Sequence, residues 1–275
     1  MFPWFYLFII ILILVIILII IMSIRGTMLD DKLSPQRPLL EKNVVPIPAI
    51  LYKTGPKKYE DLDTPLKENF KRIQSENPGY IIKYYDNNQC RLFIQKHFDT
   101  SVLRAYDCLI PGAYKADLFR YCVLYAKGGV YGDLSQQYLV PLDSLIERNH
   151  DRLVVVKDLW DRKCFKHGIQ ISFMAAVPGL QVFKEAIDKI VHNTIYKKYG
   201  RSCLDVTGPS LFRQCLDKSK IPYRLELEQI REVLKNIQTG KTVVILKMKH
   251  HNAMILKNKF TDYGVLWNER RIYKS

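Results

Sequence analysis

The chain has no repeat of fixed period and no low-complexity tract beyond residue 48, which excludes a solenoid or repeat array. Its six cysteines (Cys90, Cys108, Cys122, Cys164, Cys203 and Cys215) are widely spaced with no Cys-x-x-Cys pair, which argues against a structural zinc site and does not demand a disulfide framework. Cys122 falls within an apolar helical pattern and reads as a core residue. Acidic residues are few, with 27 Asp and Glu against 42 Lys and Arg and a formal charge of +15. That excess lacks the marks of nucleic-acid recognition: zinc-finger spacing, a long basic run and an aromatic RNA-binding signature are all missing. The bases are dispersed, with only pairs such as Lys57-Lys58, Lys197-Lys198 and Arg270-Arg271. They describe a solvated basic surface that attracts phosphorylated or acidic ligands, with no specific nucleic acid as partner.

Long apolar runs are lacking too, with one exception. Residues 1–22 are uninterruptedly apolar, and as a helix at ~1.5 Å per residue they extend roughly 33 Å, enough to cross a hydrocarbon core of about 30 Å. The run exceeds the core of a secretory leader, and Ser23-Ile24-Arg25 offers no small-x-small cleavage site, so it reads as an anchor. The expected organisation is an anchor at 1–24, a stem at 25–46 containing Pro35, Pro38 and Pro46, and one α/β domain at 47–275. Arg25, Lys32, Arg37 and Lys42 follow the span, and basic flanks favour the cytoplasmic side.

Within the domain, residues 47–52 and 80–85 read as strands, and 65–76 and 90–97 as helices. Thr54-Gly55-Pro56 and Asn77-Pro78-Gly79 act as breaks. This alternation predicts a mainly parallel, doubly wound sheet. A helix is expected over 114–127, stopped by Gly128-Gly129, after which Val130-Tyr131 re-enters the sheet and delivers Asp133-Leu134-Ser135 to a strand end. Residues 153–157 and 242–247 read as strands and 183–199 as a helix closed by Gly200. A further helix is expected over 225–237, with Leu227, Ile230, Leu234 and Ile237 on one face.

Asp117 and Arg120 lie three apart, on one side of the 114–127 helix. A carboxylate and guanidinium facing the strand-end carboxylate of Asp133 would suit a polyhydroxylated, negatively charged ligand, and an acidic strand end can hold a divalent ion on a diphosphate. Each part has a plainer reading: a surface ion pair for Asp117 and Arg120, and a turn residue after Gly132 for Asp133.

The stretch KADLFRYCVLYAKGGVYGDLSQQYLVPLDSL, residues 115–145, resembles the DXD-containing sugar transferases of glycosyltransferase family 32. That family is related to the glucosylating domains of large clostridial toxins. Ala116-Asp117, Arg120-Tyr121, Leu124-Tyr125, Gly128-Gly129, Tyr131, Asp133 and Pro141-Leu142 stand in its register. Weaker echoes follow in order: Ile47-Pro48, Asn77-Pro78-Gly79-Tyr80, Tyr85-Asp86, Met174-Ala175 with Pro178-Gly179, and Thr207-Gly208-Pro209.

The resemblance implies a single Rossmann-like GT-A domain and a retaining hexosyltransferase. The donor would be a UDP- or GDP-linked sugar and the acceptor a glycan, protein or lipid. It implies that Asp117 and Arg120 hold donor hydroxyls, that Asp133 contacts the ribose and the shell of a Mn²⁺ or Mg²⁺ ion, and that Tyr131 and Trp267 lie by the donor. The metal set would be Asp133, the position of Ser135, and His251. It also implies a type II protein of a Golgi-like endomembrane system, against the basic flank.

The chain departs from the family at Ser135, which stands where the second Asp would ligate the metal; a neutral hydroxyl is the poorer ligand. Thr54-Gly55-Pro56 replaces the Trp that often follows the first strand, and His251 and Trp267 are more widely spaced than in relatives. Ser135 supports an alternative reading, a weak or silent relative that binds nucleotide-sugar or a partner. Charge alone supports a third, a membrane-bound binder of polyanions.

Overall fold

The computed structural model describes residues 12–17, 45–161, 166–248 and 262–274. Of the anchor expected at 1–24 only residues 12–17 are described, and they are helical. Among the described residues no helix is long and apolar enough to cross a membrane. The stem, apart from residues 45 and 46, lies outside the described residues.

Ile47 is fully buried and donates its backbone N–H to Arg148. The chain then enters strand β1 (Ile50–Gly55). Helix α1 (Thr64–Glu76) starts with proline in its first turn and buries Leu66, Phe70 and Ile73, one face at helical spacing. It returns the chain to β2 (Ile81–Asp86), which pairs parallel with β1 from Ile50↔Ile81 to Gly55↔Asp86.

Asp86 opens helix α2 (Asn87–His97) with a capping box, accepting from Gln89 N–H while the Gln89 side chain accepts from its own. Asp99 caps α3 (Thr100–Cys108), a helix the sequence pattern did not reveal. Helix α4 (Gly112–Lys127) buries Leu118, Phe119, Tyr121, Cys122, Val123 and Leu124 completely, so it is walled in on several sides. Gly128 ends it at φ +63°, and a Cβ there would lie 2.8 Å from the Ala176 carbonyl oxygen, so the turn needs glycine for both dihedral and space. Strand β3 (Gly129–Gly132) follows at once, parallel to β1.

The second half contributes β4 (Gln137–Tyr138), β5 (Leu153–Asp161), β6 (Lys166–Ala176), α5 (Gln181–Ile195) and α6 (Pro209–Lys218). It closes with β7 (Arg224–Ile230), β8 (Val233–Asn236), β9 (Thr242–Ile245) and α7 (Tyr263–Asn268). Among the described residues nine strands form one sheet in the order β2-β1-β3-β6-β5-β7-β8-β9-β4.

Two expectations are corrected. The sheet is mixed and not mainly parallel: β1/β2, β1/β3 and β5/β7 are parallel, while β3/β6, β5/β6, β7/β8, β8/β9 and β4/β9 are antiparallel. Helical crossovers fill the first half, but β5–β6, β7–β8 and β8–β9 are joined by short connections, which permit only antiparallel neighbours. The helix expected over 225–237 is instead the β7–β8 hairpin. Leu225 and Leu227 are buried between partly exposed Glu226 and Glu228, a period of two, and Arg231 takes φ +55° at the turn.

Candidate functional site

Strands β1 and β3 run side by side and end at the same edge, and α4 lies against them. Asp117 and Arg120 are one turn apart on α4. Arg120 Nη1 donates to Asp117 Oδ1 at 2.8 Å, and Nη2 donates to Asp133 Oδ1 at 2.9 Å across the gap to the end of β3. The guanidinium lies on the Tyr131 ring, with its carbon 4.4 Å from the centroid. The Thr54 and Tyr131 hydroxyls share a hydrogen bond of 3.0 Å, joining β1 to the same cluster. Side-chain exposure is 4% for Arg120, 13% for Asp117 and 42% for Asp133, so Asp133 is the member that faces solvent.

Two further residues complete the constellation. Thr207 donates its hydroxyl to Asp117 Oδ2 at 2.7 Å, and Tyr121 in turn donates to the Thr207 carbonyl at 3.1 Å. Lys53, fully buried at the end of β1, donates from Nζ to the Asp133 backbone carbonyl at 2.8 Å and stands over the Tyr138 ring at 5.2 Å. The sequence marked Thr207 only as part of a Thr-Gly-Pro turn. Lys53 carried no signal, because a lysine in a short strand ordinarily points to water.

Burial sets the electrostatics. It raises the Asp117 carboxyl above the ordinary range, against the pull of Arg120 and Thr207. It also disfavours charge on Arg120, but Tyr131, Asp133 and Asp117 outweigh it and hold the guanidinium charged. Burial lowers the Lys53 ammonium to about 7, with Asp133 opposing, and pushes the Tyr131 phenol up to about 12.

Asp117, Arg120, Tyr131 and Asp133 are therefore gathered within hydrogen-bond or stacking distance of Arg120. Ser135 shares the Asp133 turn but is 4% exposed, and its hydroxyl donates to the Leu246 carbonyl at 3.0 Å. Trp267 donates its indole N–H to the Tyr199 carbonyl at 2.7 Å, with Arg270 over its ring. One turn earlier on the same helix, Tyr263 approaches the Tyr114 ring at 5.8 Å and borders the Asp117 side of the cluster. His251 lies outside the described residues. At the vacant tryptophan position, a Cβ on Gly55 would stand 2.5 Å from the Tyr84 hydroxyl and 2.9 Å from Leu134, so those two side chains fill the space.

The donor set does not fit a divalent ion held by an acid pair. Asp133 has one carboxylate oxygen on Arg120, and Ser135 is neutral, buried and turned toward Leu246. No group of three His, Cys, Asp or Glu side chains suited to a metal gathers among the described residues.

Residues 63–151 match the family model described as a glycosyltransferase sugar-binding region containing a DXD motif. The chain is 31% identical over 218 residues to an uncharacterised glycosyltransferase of Acanthamoeba polyphaga mimivirus, covering 79% of this chain and 78% of that one. It is 27% identical over 204 residues to the initiation-specific alpha-1,6-mannosyltransferase of Candida albicans, covering 64% of this chain and 52% of the relative. The chain thus spans about half the length of that mannosyltransferase. Among solved structures, the PaToxG glycosyltransferase superimposes with a TM-score of 0.44 at 16% identity, over 62% of this chain and 69% of that one.

Proposed function

Since the chain belongs to the family of glycosyltransferases whose sugar-binding region contains a DXD motif, we propose that it transfers a hexose, with retention, from a UDP- or GDP-sugar to a glycan, protein or lipid acceptor. The observation that carries this reading is the single guanidinium of Arg120 joining the buried Asp117 to the solvent-facing Asp133.

The roles divide by exposure. Asp117 has one oxygen on Arg120 and the other on Thr207, so it fixes the guanidinium in place. Asp133 presents a half-open carboxylate that accepts from sugar hydroxyls and orients the ring. Tyr131 packs against the guanidinium and keeps water from that face, and Thr54 shares a hydrogen bond with the Tyr131 hydroxyl. As the bond to the leaving diphosphate stretches, charge separates between an oxocarbenium-like carbon and the diphosphate, and fixed dipoles and charges at this edge stabilise that separation. Retention follows from attack by the acceptor on the face the diphosphate leaves, with no protein nucleophile required.

Residues 1–24 anchor the protein, 25–46 form a stem and 47–275 a single catalytic domain, in a type II layout within a Golgi-like endomembrane system. Protease protection of residues 47–275 in sealed vesicles is the expected result; digestion without detergent would reverse the topology.

The activity is tested by incubating the protein with UDP- and GDP-sugars, GDP-mannose among them, and measuring nucleotide release. Turnover in the wild type and its loss in Asp133→Asn are expected. Full activity in Asp133→Asn would refute the assignment. Binding of a nucleotide-sugar without turnover would favour the second reading, a silent relative, which the inward-turned Ser135 supports.

A further inference from the structure

Two side-chain cations touch Asp133. Arg120 reaches its carboxylate at 2.9 Å and Lys53 its backbone carbonyl at 2.8 Å. Lys53 is sealed from solvent, and its contacts are that carbonyl and the face of Tyr138. Burying an ammonium is costly, and a methionine of similar volume would fill the same space at less cost, so the charge itself calls for a use.

The position two residues beyond Asp133 points the same way. In a DXD pair the second acid helps hold a divalent ion, and that ion's two charges meet the donor's diphosphate. Here Ser135 carries no charge, lies buried and donates to Leu246, so it offers a divalent ion no second carboxylate. Losing one negative charge at 135 leaves this edge more positive than an acid pair would, and Lys53 in its protonated form adds to that. A cation brought to Asp133 would also approach Arg120 and Lys53, both already in contact with it, and be repelled by each.

We propose that this chain binds the diphosphate of its nucleotide-sugar without a protein-held divalent ion. Lys53 and Arg120, held on the carbonyl and the carboxylate of Asp133, supply the positive charge. Lys53 acts through the low-dielectric interior and through the carbonyl it holds, so it is a positioning and field-setting residue that does not touch the ligand. The inference rests on the glycosyltransferase reading given above.

The test is calorimetric titration of the full chain with UDP and with GDP, once in EDTA and once in Mn²⁺, with the Mn²⁺ electron paramagnetic resonance spectrum recorded alongside. The wild type should bind one nucleotide with the same affinity in both buffers, to within about twofold, and leave the Mn²⁺ signal that of the free ion and its nucleotide complex. At about pH 6, where the Lys53 ammonium is protonated, Lys53→Met should bind roughly tenfold or more weakly in EDTA than the wild type, the loss expected for one charge in a low-dielectric site. Mn²⁺ should restore part of that loss. A lysine that only braced the loop would give a defect no metal repairs. Wild-type binding that weakens tenfold in EDTA overturns the inference, as does Lys53→Met binding like the wild type or failing to respond to Mn²⁺. Should Lys53→Met not fold, the wild-type comparison and the Mn²⁺ spectrum decide alone. Absence of binding to either nucleotide in both buffers sinks the glycosyltransferase reading and this inference with it.

Discussion

Replacing Arg120 by methionine removes the cation on which the whole cluster is hung while keeping most of the side chain's volume. In the wild type the guanidinium is 4% exposed and serves two carboxylates of very different standing. Asp133 is 42% exposed, and an ion pair with such a partner contributes about 0–1 kcal/mol. Asp117 is 13% exposed, and stripping the partner from a buried charge costs about 3–5 kcal/mol. The expected destabilisation of Arg120→Met is therefore about 3–5 kcal/mol near neutrality, nearly all through Asp117. For a chain of this size that lowers the melting temperature by roughly 6–20 °C.

The deficit should also depend on pH with a definite sign. Burial already raises the Asp117 carboxyl in the wild type, and losing Arg120 removes the positive charge that most strongly lowers it. A carboxyl raised in the native state holds a proton that the unfolded chain has released. Its stabilising contribution is complete below the unfolded value of about 3.9 and is lost as pH rises through the native value. The gap between variant and wild type should thus be widest at about pH 8 and narrow toward about pH 4.5. Urea unfolding at the two pH values measures it. The double variant Arg120→Met with Asp117→Leu should recover most of the loss, because a buried pair replaced by apolar groups is often neutral. If Arg120→Met at about pH 8 costs no more than Asp133→Asn, the buried pair does not carry the cluster and the reasoning fails.

Lys53→Met should change the pH dependence of stability in the opposite direction. An ammonium lowered to about 7 contributes stability that is present above its unfolded value, about 10.4, and is lost as pH falls through 7. Unfolding curves of variant and wild type should therefore diverge in the variant's favour toward acid; parallel curves would refute the burial of a charge. Ser135→Asp, the substitution that restores the acid pair on paper, should destabilise by about 2–4 kcal/mol, since it sets a buried carboxylate against the Leu246 carbonyl oxygen. A stable variant with tightened Mn²⁺ binding would show that position 135 faces the donor after all. Gly128→Ala should cost about 2–4 kcal/mol in thermal unfolding, from a left-handed dihedral together with overlap on the backbone at Ala176. A loss under 1 kcal/mol would mean that the turn relaxes.

Much of the first half was legible because its signals are local. The periodic apolar positions of α1 and α4, the double glycine after α4 and the short strands between breaks all act over a few residues, and the structure returns them within small shifts of boundary. The hairpin over Arg224–Asn236 is ambiguous in the sequence because Leu227, Ile230 and Leu234 satisfy helical spacing as well as Leu225 and Leu227 satisfy alternation. Only the neighbouring β5 and β9, available as pairing partners, decide between the two.

The sequence by itself placed Asp117, Arg120 and Asp133 in one motif through its resemblance to the sugar transferases, which is carried by consecutive residues over a helix, a double glycine and a four-residue strand. The tertiary structure alone decided what each of them touches. Thr207 lies 90 residues from Asp117 and Lys53 lies 80 from Asp133, yet both hydrogen-bond into the cluster. Leu246 claims the hydroxyl of Ser135 from 111 residues away. Burial and the direction of a side chain depend on which segments the sheet brings together, and no short stretch of residues contains that information.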